Sequence, residues 1–86
     1  MNHPRLADGA RLQYDDVREE HVLLIPEGVV RLNPTAAEVL GLCDGERSLD
    51  EIAGTLCARY EGTDVREDVL GLVDAMAQRG LVVDDA

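Results

Sequence analysis

The sequence contains no lysine, no phenylalanine and no tryptophan, and Tyr14 and Tyr60 are its only tyrosines. Without large rings, the core has to be built from Leu, Val, Ile and Ala. Without lysine, eight arginines stand against eighteen acidic residues, a net charge of −10. That field repels a phosphate backbone or an anionic leaflet, which argues against nucleic acid and membrane surfaces as partners. Long apolar runs are also absent. The longest, Val22 to Ile25, falls far short of the ~20 residues that span a bilayer, and Met1-Asn2-His3-Pro4 does not open a signal peptide. The expected location is the cytoplasm. Cysteine is scarce: Cys43 and Cys57 form no CxxC motif, and two cysteines do not make a disulfide framework, so both are expected as buried, reduced thiols.

A hydrophobic share of 45% is that of a globular chain rather than a disordered one. At 86 residues the expectation is one domain over 1–86, with 1–8 flexible and only about 60 to 65% of the unfolded surface buried. A dry void costs on the order of 24 cal/mol per Å³, so a deep preformed pocket would consume a large part of a small domain's stability. A wet surface cleft carries no such penalty.

Strands come first along the chain. Arg11-Leu12-Gln13-Tyr14 alternates, putting Leu12 and Tyr14 on one face. His21 to Ile25 is a β-rich run, ended by Pro26, which suits the second position of a turn. Gly28 supplies the positive φ of a tight hairpin, so Val29 to Leu32 returns as a third antiparallel strand and a candidate edge.

Helices follow. Asn33 is a good N-cap and Pro34 a good first residue for a helix reaching about Cys43, with Asp44-Gly45 as its stop and Ala36, Val39, Leu40 and Cys43 inward. Ser48 and Glu51 have capping-box spacing, opening a second helix that runs to about Tyr60 and closes at Gly62. Its stripe is Ile52, Ala53, Leu56, Cys57 and Tyr60. Asp64 and Glu67 repeat the spacing for a third helix, which carries Val65, Val69, Leu72, Val73 and Met76 inward and ends at Gly80. Leu81-Val82-Val83 reads as a last short strand or a hydrophobic clasp. Strands followed by helices indicate an α+β fold, a three-stranded antiparallel sheet with three helices on one side.

Catalytic parts are missing. His3 and His21 have no partner at zinc-like spacing, neither cysteine has a sequence-adjacent base, and the eight glycines are isolated punctuation rather than a phosphate loop. The pairs Asp50-Glu51 and Glu67-Asp68 fall in helical first turns, where capping and the helix dipole account for them. What remains is a geometric possibility: an unpaired third strand beside an amphipathic third helix makes a cleft that an extended peptide can enter as an added strand. Alternatively, the helix or the segment Leu81 to Val83 covers that edge.

The segment Leu23-Leu24-Ile25-Pro26-Glu27-Gly28-Val29-Val30-Arg31-Leu32-Asn33, with Ala36, Cys43-Asp44-Gly45, Ile52 and the stretch Asp68 to Gly80, resembles the PqqD family of pyrroloquinoline quinone (PQQ) biosynthesis. The similarity runs from about Pro4 to Asp84. Ile25 stands where the family carries an aromatic residue, and Tyr14 where it often carries Trp. The resemblance implies a winged-helix-like recognition element for ribosomally made peptides, without catalysis and without a cofactor of its own. Such an element binds the precursor peptide PqqA and presents it to the radical SAM enzyme PqqE. It implies a peptide site at Val29, Val30, Arg31 and Leu32 of the third strand and at Asp68, Val69, Leu72, Val73 and Met76 of the third helix. No metal site is expected.

Two other functions fit the chain less well. A winged-helix nucleic-acid binder fits the helix order, but Asp64, Glu67, Asp68 and Asp74 against Arg66 and Arg79 give the third helix the wrong sign. Direct handling of the quinone has no residue-level support. Monomer and homodimer both remain open, because an exposed edge can pair with its own copy.

Overall fold

The computed structural model describes residues 2–61 and 64–85. The first element is a strand, β1 (Pro4–Leu6), where the sequence suggests a loose terminus. It pairs antiparallel with the last element, β5 (Val82–Asp84), Leu6 opposite Val82 and Pro4 opposite Asp84. Pro4 is fully buried. Three residues are too few to show an alternation, and their partner lies at the other end of the chain, so local patterning could not reveal them. The amides of Asn2 and His3 donate to one carboxylate oxygen of Asp84 at 3.1 and 2.9 Å, which holds that carboxyl below its ordinary range.

The second sheet is the expected meander, β2 (Arg11–Asp15), β3 (Glu20–Ile25) and β4 (Gly28–Leu32), in spatial order β2-β3-β4. Ile25 pairs with Gly28, so Pro26 and Glu27 alone make the turn, and Gly28 takes a φ of 150°. A β-carbon there would meet nothing within 4 Å. Backbone conformation, not crowding, is what favours glycine at this position. Leu12, Leu23 and Val30 form one row across the sheet and Tyr14, His21 and Leu32 another, on the face that packs against the helices. The edge contact of the Tyr14 and His21 rings, 4.9 Å between centroids, belongs to the second row.

Helix α1 (Pro34–Gly41) starts as its sequence dictates, with the Asn33 side chain accepting from the Ala36 amide at 2.7 Å. It stops two residues before Cys43, with Leu42 as its C-cap. Helix α2 (Leu49–Arg59) has the complete capping box: the Ser48 amide donates to Glu51 at 2.9 Å, and the Glu51 amide to Ser48 Oγ at 3.1 Å. Gly62, the expected end of this helix, lies outside the described residues.

Helix α3 (Arg66–Gln78) departs from expectation at its start. Asp64 is not its N-cap. The cap is Val65, which makes no side-chain bond, and the Asp64 carboxylate accepts instead from the Arg66 amide at 3.0 Å. Burial decides this: Val65 is drawn into the core, which displaces the helix start by one residue. The far end follows the sequence. Gly80 adopts a φ of 76°, its amide donates to the Ala77 carbonyl, and the Leu81 amide reaches back to the Met76 carbonyl. This pair of bonds is the Schellman arrangement.

The core contains Leu23, Val39, Leu40, Ile52, Leu56, Val69, Val73 and Val82, all essentially without exposure. It joins the inner sheet face to all three helices and to β5. No buried charged side chain occurs among the described residues.

Candidate functional site

The turn at Pro26-Glu27 determines which backbone groups of β4 are available. A two-residue loop can be closed only by a directly bonded pair, because the other ladder pattern would require Pro26 and Glu27 to bond each other. Ile25 and Gly28 are therefore a bonded pair, and at intervals of two so are Leu23 with Val30 and His21 with Leu32. The backbone amides and carbonyls of Val29 and Arg31 then point away from β3. No strand pairs with that edge among the described residues, because β5 pairs with β1 instead. The possibility that Leu81 to Val83 covers the edge is excluded by this topology.

One groove runs along the outer face of this edge, and another begins where β4 ends, between α1 and α3. On the inner side, where Asn33 leads from β4 into α1, an open groove of about 380 Å³ is lined by Asn33, Thr35, Ala36, Asp68 and Leu72. On the outer face, another of about 380 Å³ is lined by Asp15, Arg18, Glu20, Val22, Val29 and Arg31. Val29 is 60% exposed, unusual for valine in a strand, and Arg31 holds Glu20 at 3.1 Å.

The structure divides the sequence-derived site residues into two groups. Val29, Val30 and Arg31 lie on the edge strand, exposed or half-buried, while Leu32 turns into the core. On α3, Asp68 and Leu72 line the inner groove. Val69 and Val73 are 1% exposed and Met76 8%, so these three hold the helix in place from beneath. Helical spacing alone identifies a face but does not say which flank stays open. Asn33, Thr35 and Ala36 line the same groove without being marked by the sequence pattern, which places them only at the strand-to-helix junction.

Of the two cysteines expected to be buried, Cys57 is only partly so, its thiol 3.9 Å from an Asp64 carboxylate oxygen. Cys43 is buried, its thiol donates to the Val39 carbonyl at 3.3 Å, and burial pushes its pKa up to about 11. No cluster of potential metal ligands occurs among the described residues. A third groove, about 350 Å³, lies at the opposite sheet edge between β2 and α1, lined by Leu12, Gln13, Tyr14, His21, Pro34, Ala37 and Glu38. Glu38 there accepts from Tyr60 Oη at 2.6 Å and from Arg59 at 3.0 Å, and these bonds hold its carboxyl below the ordinary range. No helix is long and apolar enough to cross a membrane among the described residues.

Comparison with known proteins gives a consistent result. The profile of the family described as Coenzyme PQQ synthesis protein D (PqqD) matches residues 20–82. A PqqA binding protein of Azotobacter vinelandii is 40% identical over 80 residues, covering 92% of this chain and 87% of that one. The bifunctional coenzyme PQQ synthesis protein C/D of Methylorubrum extorquens is 38% identical over 78 residues, covering 88% of this chain and 21% of that longer one. The solution structure of the PqqD truncation of Methylobacterium extorquens PqqCD, described as a stand-alone recognition element for ribosomally synthesized, modified peptides, superposes with a TM-score of 0.77. Identity in that comparison is 36%, over 93% of this chain and 87% of that one.

Proposed function

The chain belongs to the PqqD family of coenzyme PQQ synthesis proteins, and on that footing we propose that it is a non-catalytic binder of the precursor peptide PqqA. The peptide enters as an additional strand on β4 and is presented in that extended form to the radical SAM enzyme PqqE. The observation that carries the reading is the free edge itself: outward backbone groups on Val29 and Arg31, with a groove along its outer face and another just past its end. Main-chain hydrogen bonds supply affinity without reading sequence, and the grooves supply selectivity.

Extended presentation suits a non-catalytic partner. Fixing a flexible peptide costs about 1 to 2 kcal/mol of backbone entropy per residue, and meeting that cost on β4 leaves less for the enzyme to supply. Relatives that are PqqA binding proteins support the assignment of ligand. The covalent fusion to a second synthesis protein in Methylorubrum extorquens supports action beside other members of the pathway.

The direct test is co-purification. Immobilised chain is incubated with synthetic PqqA, with PqqE, and with both. Retention of PqqE that increases when PqqA is present is the expected result. Retention of neither removes the proposal, and retention of PqqA alone removes only its presentation to PqqE.

A further inference from the structure

Resting on the peptide-binding reading above, we propose that the strand entering beside β4 is selected by Asp68 through a lysine or arginine, with an apolar side chain two residues away seated against Leu72. The charges around the two grooves are unequal. On the outer face each acid has its own base, Arg31 with Glu20 at 3.1 Å and Arg18 with Asp15 at 4.0 Å. The inner groove contains one ionisable side chain, Asp68, and it forms no ion pair among the described residues.

Among the described residues no arginine forms an ion pair with it. Arg66, two residues before it, is turned to Asp50 at 3.0 Å. Arg31 is held by Glu20 on the other face of the sheet. Arg79 follows the last residue of α3, about three helical turns away. Arg11 belongs to β2, beyond β3 from the groove. Glu67 is on the same exposed first turn and adds to the negative potential. A strand bringing a cation here would be favoured, and one bringing a carboxylate would be rejected.

Spacing supports a two-point contact. Asp68 and Leu72 are four residues apart on α3, about 6 Å of rise. Strand residues i and i+2 share a face and lie about 6.7 Å apart. The two repeats agree to within about an ångström, so a strand running along α3 would set one side chain at Asp68 and the next on that face at Leu72. The recognised pattern is a cation and an apolar residue separated by one position.

The experiment measures affinity by calorimetry at about 0.05 M and about 0.15 M ionic strength. The proteins are the wild-type chain, Asp68→Asn, the charge-keeping Asp68→Glu and the control Asp74→Asn. The ligands are synthetic PqqA and variants in which each lysine or arginine is replaced singly by glutamine. Asp68→Asn is expected to weaken PqqA binding about 3- to 10-fold, less at the higher salt, while Asp68→Glu and Asp74→Asn stay within about twofold. One glutamine peptide should lose a similar factor with the wild-type chain and lose nothing more with Asp68→Asn. Equal binding by wild type and Asp68→Asn, or losses that multiply for every peptide, overturns the inference while PqqA binding itself stands. Failure of the wild-type chain to bind PqqA overturns both.

Discussion

The three-stranded sheet has two edges, and they differ in the feature that suits one of them to a partner. Both β2 and β4 are five residues long and both turn backbone groups outward; a groove lies between β2 and α1, and another begins just past the end of β4, between α1 and α3. In the groove beside β2 the one lining carboxylate, Glu38, is already satisfied by Arg59 and Tyr60 from α2 and its C-cap. In the groove just past the end of β4 the one lining carboxylate, Asp68 of α3, forms no ion pair among the described residues, and a second groove runs along the outer face of β4. An unpaired strand offers hydrogen bonds to any chain. Its surroundings decide which chain benefits.

The largest effect expected from probing this contrast is proline substitution along β4. Val30→Pro removes a donor that faces β3 and should abolish the cooperative thermal transition, whereas Val29→Pro removes one that faces outward and should leave the fold intact. For Val29→Pro the expected loss of PqqA affinity exceeds about tenfold, since a main-chain bond and its neighbours go together. Circular dichroism melts and calorimetry separate the two variants. Equal destabilisation by both would mean the ladder register is shifted by one residue.

The matching change on the other edge is Tyr14→Pro. Tyr14 is 48% exposed and its amide faces outward. The expected outcome is PqqA affinity within about twofold of wild type, the size of effect a remote surface change leaves. A large loss would transfer the peptide site to β2.

The smallest effect concerns the internal bonds at the β2 edge. Glu38→Gln should cost about 1 kcal/mol at neutral pH, since its side chain remains partly exposed. Its carboxyl is held below the ordinary value of 4.5 in the folded state, so its contribution is fully present above about pH 4.5 and is lost as pH falls through the lower folded value. The difference in melting temperature between wild type and Glu38→Gln should therefore shrink below about pH 4.5. A difference independent of pH would mean that the charge plays no part.

Much of this arrangement was legible in the residues. Pro26-Glu27-Gly28 gave the hairpin, Asn33-Pro34 and the Ser48/Glu51 box gave two helix starts, and Gly80 gave the last helix end, because each is a local backbone requirement with a residue type that meets it. The terminal pair β1 and β5 was not legible, since it joins opposite ends of the chain through strands too short to alternate. Nor was the start of α3, where burial of Val65 overrides a plausible aspartate cap. For the candidate site, the edge strand and the face of α3 were readable, but the separation of Asp68 and Leu72 from buried Val69, Val73 and Met76 depends on where α1 packs. The opposite groove at Tyr14 left no trace in the sequence pattern for the same reason.

The central claim is that β4, and not β2, receives PqqA. Titration of ¹⁵N-labelled chain with synthetic PqqA tests it most directly. The expected result is movement of the amide signals of Val29 to Leu32 and of Asp68 to Leu72, with Leu12 and Tyr14 unchanged. Movement confined to Leu12, Tyr14 and the start of α1, or no movement at saturating peptide, would contradict it.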